Sequence, residues 1–278
     1  MLTLGYKSAK PQAEALLGLT EQPIYDLIHT TLGSLRCAVL THPHGASPQL
    51  AIVLCHGFGA PGDDLVPLGA ELLRREPQLT PVQLVFPEAP LQLAPELYGN
   101  GRAWWPLDVE RLLERQARGL DLTHFQEEAP EGLSKARRSV VALVDELARQ
   151  STLPISRIVL GGFSQGAMVS LDAALHLEDR PSGVILLSGT LVARSEWERR
   201  ARKRAGLPVF QSHGRQDPLL PFFAAEALRD LLIRAGLEVE FVAFDGGHTI
   251  PPNVLDRTAQ FLLARLREES GNDKVSRR

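Results

Sequence analysis

Along the chain, short runs rich in Val, Ile and Leu alternate with longer segments whose apolar residues recur every three or four positions. Runs of the first kind suit strands covered on both faces, and segments of the second kind suit the helices that cover them. The pattern therefore predicts an α/β fold, a mostly parallel central sheet flanked by helices on both faces. The predicted strands are Leu35–Thr41, Leu50–Cys55, Val82–Phe86, Arg157–Leu160, Gly183–Leu187, Pro208–Ser212 and Glu238–Phe244. The predicted helices are Asp64–Arg75, Ser134–Gln150, Gln165–Leu177, Phe222–Ala235 and Val254–Arg267. Ser134 is expected to cap its helix, and Gly236 to take the left-handed conformation just past the end of another.

No internal repeat and no Pro/Gly/Ser-rich linker divides the sequence, so residues 1–278 read as a single domain with a core over about 35–266. Residues 87–133, with Pro87, Pro90, Pro95, Trp104, Trp105, Pro106 and Pro130, are too long for an ordinary connection. They read as an inserted loop or lid segment, with Leu107, Leu112 and Leu113 on a short amphipathic helix. The polar stretch 268–278 reads as a frayed tail.

Composition narrows the picture. Thirty Lys and Arg against 33 Asp and Glu leave a net charge of −3, no field to attract polyanions, so sequence-independent nucleic-acid binding is not expected. The longest apolar runs are far shorter than a membrane-spanning helix, which speaks against stable membrane insertion. Met1–Thr20 carries Lys7, Lys10 and Glu14 and lacks the apolar run of a secretory signal, so a cytoplasmic location is expected. Cys37 and Cys55, both on predicted strands, read as buried free thiols.

The chemistry centres on Gly162-Phe163-Ser164-Gln165-Gly166, a Gly-x-Ser-x-Gly pentapeptide between a predicted strand and a predicted helix. A serine hydroxyl is a weak nucleophile unless it is exposed, rigid and supplied with a base. A sharp strand-to-helix turn meets the first two needs and sets Ser164 at a helix N-terminus, where developing negative charge is favoured. The base and its orienting acid are expected after later strands. His213-Gly214-Arg215-Gln216-Asp217 follows one and Asp245-Gly246-Gly247-His248 follows the next, so the order Ser164, Asp217, His248 forms a candidate triad. Asp245 competes for the acid's role, but it stands only three residues before His248. His213 reads as a residue that shapes the Asp217 loop. His42, His44, Asp63 and Asp64 read as turn and cap residues, without a third ligand at metal-site spacing.

Acyl transfer also needs donors for a tetrahedral oxyanion. The backbone N–H of Gln165 is one candidate, and that of Phe58, in the glycine-rich loop Cys55-His56-Gly57-Phe58-Gly59-Ala60-Pro61-Gly62, is the other. The loop lacks the Gly-Lys-Ser/Thr ending of a phosphate-binding loop.

Taken together, His56-Gly57-Phe58-Gly59, the pentapeptide around Ser164, His213 to Asp217 and Gly246-Gly247-His248 resemble the bacterial carboxylesterase, phospholipase and acyl-protein thioesterase-like family of α/β-hydrolases. The resemblance implies the α/β-hydrolase fold, hydrolysis of small-molecule carboxylic esters or thioesters with no metal or organic cofactor, and an expectation of a homodimer. Under it Ser164, Asp217 and His248 are the triad, and the Phe58 and Gln165 amides are the oxyanion hole. Gly101-Arg102-Ala103-Trp104-Trp105-Pro106 resembles the family's aromatic segment beside the active site. Trp104 and Trp105, with Leu97 and Tyr98, then either wall a substrate pocket or seal the core. The basic run Arg199–Arg204 is either a solvated helix face or a contact for an anion. Two other functions stand beside hydrolysis: acyl transfer through the same acyl-enzyme, and a catalytically silent binding module, against which the presence of all three triad residue types argues.

Overall fold

The computed structural model describes residues 25–42, 47–108, 114 and 126–268. Its main sheet has eight strands, β1 (Asp26–Leu32), β2 (Leu35–Thr41), β3 (Leu50–Cys55), β4 (Val82–Pro87), β7 (Ile158–Phe163), β8 (Gly183–Leu187), β9 (Pro208–Gly214) and β10 (Glu238–Phe244). Their spatial order is β1-β2-β4-β3-β7-β8-β9-β10. Every pairing from β4 to β10 is parallel, while β2 pairs antiparallel with both of its neighbours. A separate two-stranded ribbon, β5 (Leu91–Gln92) with β6 (Arg102–Ala103), carries a one-turn helix, α2 (Pro95–Tyr98), at its tip.

Six longer helices cover the sheet: α1 (Val66–Arg75), α3 (Leu133–Ser151), α4 (Gln165–His176), α5 (Arg194–Ala201), α6 (Phe222–Arg234) and α7 (Pro252–Arg267). Side chains alternate across each strand, and the core divides accordingly. Val53, Leu160, Val184 and Val209 pack with α3, α4, α5 and α6, whereas Ile52, Val159, Ile185 and Phe210 pack with α1 and α7. No helix among the described residues is long and apolar enough to cross a membrane.

The chain leaves β3 and β4 on one side of the sheet and resumes at β7 on the other, so the sheet's switch in strand order lies between β3 and β7. In open α/β sheets, ligands bind at the carboxyl ends of the strands at such a point. The loop after β3 holds Phe58 and the turn after β7 holds Ser164.

Several expectations need correction. Gly132, at φ 92°, stands at the cap position of α3, and Ser134 lies inside the helix, where its hydroxyl accepts hydrogen bonds from Arg137 and Arg138. Burial of Leu133 draws the helix start back by a residue. The strand expected to end at Leu160 runs on to Phe163 through Gly161 and Gly162. Helix α7 begins two residues earlier than expected, at Pro252, since proline suits a first helical turn. Strand β1 was not expected, and of helix α5 only its Arg199–Arg204 end was, as a solvated helix face. Gly236 does take a positive φ of 89° after α6, and the Gly236 and Leu237 amides donate to the Ile233 and Leu232 carbonyls. Within 87–133, the β5–α2–β6 ribbon replaces an irregular loop, while Leu112 and Leu113 of the expected lid helix lie outside the described residues, as do His44, residues 1–24 and the tail beyond Glu268.

Candidate active site

Ser164 sits where β7 meets α4, with φ 55° and ψ −118°. For a residue with a Cβ this backbone is strained by about 1–3 kcal/mol, a cost that the surrounding packing must hold in place. Its neighbours explain how. A Cβ on either Gly162 or Gly166 would collide with the Cys55 carbonyl, so only glycines let the turn press against the end of β3. The Ser164 amide is tied to the Leu187 carbonyl at 2.8 Å, and the twelve-residue α4 directs its N-terminus at the turn.

Asp217 and His248 come from the loops after β9 and β10, which interlock. The Arg215 amide donates to Phe244 O at 2.9 Å and the Gln216 amide to Gly246 O at 3.0 Å, an approach that a Cβ at Gly214 would block. This brings His248 Nδ1–H to Asp217 Oδ2 at 2.6 Å. The other carboxylate oxygen, Oδ1, accepts from the Leu219 and Leu220 amides at 2.8 and 2.9 Å. His213 is fully buried beneath the same carboxylate, its Nε2 donating to Leu220 O at 2.8 Å and lying 3.3 Å from Asp217 Oδ2. Burial by itself would push the Asp217 carboxyl up, but hydrogen bonds from His213, His248 and the Leu220 amide outweigh it and hold the group well below the usual carboxylate range. Asp217 is thus a fixed anion facing His248. Asp245 is 88% exposed and stands 3.9 Å from Arg215, so the structure brings Asp217 and not Asp245 to the imidazole. The His248 ring rests on Phe163, the residue before Ser164, with centroids 4.7 Å apart.

On the other side of Ser164 lies the loop after β3. A Cβ on Gly57 would stand 3.5 Å from the Ser164 Cβ, so this backbone lies directly against the candidate nucleophile. Phe58 is half-buried and meets the Tyr98 ring edge-on at 5.7 Å.

Trp104 and Trp105 are 1% and 2% exposed and belong to the core. Of their two expected roles, burial supports sealing the core over walling an open pocket. Their backbone has a further use that the sequence did not disclose. Gln165 Oε1 accepts from the Trp104 amide and its Nε2 donates to Trp105 O, both at 2.9 Å. Trp104 Nε1 in turn donates to His56 O at 2.9 Å. Leu97 and Tyr98 stand exposed on α2, near the Gly59 end of the loop. Cys37 and Cys55 are free, buried thiols, and burial pushes each up to about 12, far from thiolate chemistry.

The basic run Arg199–Arg204 spans the end of α5 and the turn after it, where Arg202 pairs with Glu198 and Arg204 is tied to the Leu177 carbonyl.

Comparison with known proteins identifies the family. The phospholipase/carboxylesterase family model matches residues 36–266. Acyl-protein thioesterase 1 of Eremothecium gossypii is 34% identical over 225 residues, covering 80% of this chain and 90% of that protein. Among solved structures, esterase PE8 is 29% identical with a TM-score of 0.69, covering 86% of this chain and 99% of its own. Acyl-protein thioesterase 2 of Zea mays, at 24% identity and a TM-score of 0.62, covers 83% of this chain and 99% of its own and shares the fold. The chain belongs to the phospholipase/carboxylesterase family and is a serine hydrolase of the α/β-hydrolase fold.

Proposed function

We propose that this enzyme hydrolyses small to medium acyl esters or thioesters through an acyl-enzyme on Ser164, with His248 as base and Asp217 as its orienting acid. The observation that carries the reading is the 2.6 Å bond from His248 Nδ1–H to the Asp217 carboxylate. That bond commits the ring's other nitrogen to taking a proton, on a ring that packs against the residue preceding a strained, glycine-flanked serine. The name of the Eremothecium gossypii relative supports including thioesters.

In the first half-reaction the Ser164 oxygen attacks the acyl carbon while its proton passes to His248 Nε2. The carbonyl electron pair moves onto oxygen, which the Phe58 and Gln165 amides stabilise, each donor worth about 3 kcal/mol in such sites. Collapse expels the alkoxide or thiolate, which leaves with the proton from His248. In the second half-reaction His248 takes a proton from water, the hydroxide attacks the acyl-enzyme, and the acid is released as Ser164 regains its hydrogen. Asp217 keeps its charge throughout and stabilises the imidazolium formed at each attack. We also read the chain as one catalytic domain, which the single eight-stranded main sheet supports.

The test is hydrolysis of p-nitrophenyl esters of increasing acyl length and of an acyl-thiol, comparing the enzyme with Ser164→Ala. A rate that vanishes in the folded variant supports the proposal, and the length optimum sizes the acyl site. An undiminished rate in the variant would refute it.

A further inference from the structure

The loop after β3 must present one particular N–H to the reacting carbonyl, and loops rich in glycine do not hold such an orientation unaided. Two of its amides are already engaged: Gly59 N–H donates to Arg102 O at 2.9 Å and Ala60 N–H to Gly57 O at 3.4 Å. Among the described residues, the Phe58 N–H has no hydrogen-bond partner within the protein. What fixes its direction is the other end of the same peptide unit. The Gly57 carbonyl accepts from His56 Nδ1–H at 2.8 Å, and in a trans peptide the C=O and the following N–H point opposite ways.

We infer that His56 is the positioning residue of the oxyanion loop, its Nδ1–H drawing the Gly57 carbonyl back so that the Phe58 N–H faces Ser164. The inference rests on the reading of Phe58 as an oxyanion donor. The imidazole suits the task because it is itself held. Ala89 N–H, just past β4, donates to Nε2 at 3.1 Å, Trp104 Nε1 holds the residue's own carbonyl, and the ring is 1% exposed, 5.7 Å from the Trp104 ring. These partners require a hydrogen on Nδ1 and a lone pair on Nε2, a single neutral tautomer. Burial pushes the imidazole down to about 4, against the pull of the Gly57 carbonyl, so this tautomer persists at neutral pH. Through Trp104 the chain of bonds continues to the Gln165 side chain, so His56 and the residue that would supply the second oxyanion amide share one buried network.

Two substitutions separate positioning from space-filling. His56→Asn keeps a donor near the Nδ1 position and loses the acceptor for Ala89. His56→Gln keeps an acceptor near the Nε2 position and loses the donor to Gly57. In p-nitrophenyl ester hydrolysis, His56→Gln is expected to lower kcat by about 10²-fold with KM within about threefold, while His56→Asn stays within about fivefold of the wild-type kcat. Equal losses in both variants, or wild-type kcat in the Gln variant, would overturn the inference. Melting curves establish that each variant is folded. Should the Gln variant not fold, the Asn variant decides alone, a kcat within about fivefold supporting the inference and a loss of about 10²-fold overturning it. Ser164→Ala in the same assay separates the two levels of argument. If that variant is inactive while His56→Gln runs at the wild-type rate, only the role of His56 fails. If Ser164→Ala is itself active, the triad reading falls and takes this inference with it.

Discussion

The buried imidazole of His56 should leave a signature in acid stability that is independent of any catalytic assay. Folding lowers its pKa from the ordinary 6.5 to about 4, chiefly through burial. Between those values the unfolded chain binds the proton and the folded chain does not. Stability from this residue is therefore fully present above pH 6.5, declines as the pH falls, and is exhausted below about 4. At about 1.4 kcal/mol per pH unit the whole effect comes to about 3.4 kcal/mol, of which about 2.5 kcal/mol is gone by about pH 4.5.

 The assay is urea unfolding of the wild type and of His56→Gln at about pH 7.5 and about pH 4.5. Carboxylates titrate alike in both chains and cancel in the comparison, so the stability difference between wild type and variant should move by about 2.5 kcal/mol in the variant's favour on acidification. Stability curves that run parallel across this range would refute the reasoning, because they would mean that His56 does not resist protonation in the folded protein.

Two further outcomes follow from the site. Asp217→Asn can still accept from the Leu219 and Leu220 amides but offers His248 the wrong partner, so kcat should fall by about 10³- to 10⁴-fold in steady-state ester hydrolysis while the fold persists; a loss below tenfold would remove Asp217 from its role. Ser164→Gly relieves the backbone held at φ 55°, so the inactive variant should gain about 1 kcal/mol and melt about 2–4 °C higher by calorimetry, and an unchanged or lower Tm would show that the turn is not strained.

Much of the frame was legible because burial writes itself into residue type. Strands β3 and β8 are covered on both faces and read as unbroken apolar runs, so their limits came out as observed. Strand β1 did not, because six of its seven residues are not buried and Asp26, His29, Thr30 and Thr31 dilute its pattern. Most of helix α5 was hidden for a similar reason: the helix buries only Trp197 and Ala201, and its arginines and glutamates dominate the local composition. At the site, chain order and loop context pointed to Ser164, Asp217 and His248 as candidates, each after a strand, and the structure joins Asp217 to His248. The Gln165 side chain was beyond reach, because its partners lie some sixty positions away in sequence and are backbone atoms that any residue would supply. His56 was visible only as part of a motif, its tautomer being set by Ala89 and Gly57 in three dimensions.

The Gln165 clamp also bears on how this scaffold can be re-engineered. Its side chain grips one N–H and one C=O, at positions 104 and 105, and ignores the identity of the residues that own them. A foreign segment spliced in place of the β5–α2–β6 ribbon therefore needs to deliver those two backbone groups in register, together with a donor for the His56 carbonyl where Trp104 now supplies one. The graft must also reproduce the Arg102 backbone, whose carbonyl accepts from Gly59 N–H and whose N–H donates to Ala60 O, because those two bonds hold the loop beside Ser164. With these points kept, what varies between grafts is the exposed face carried by Leu97 and Tyr98.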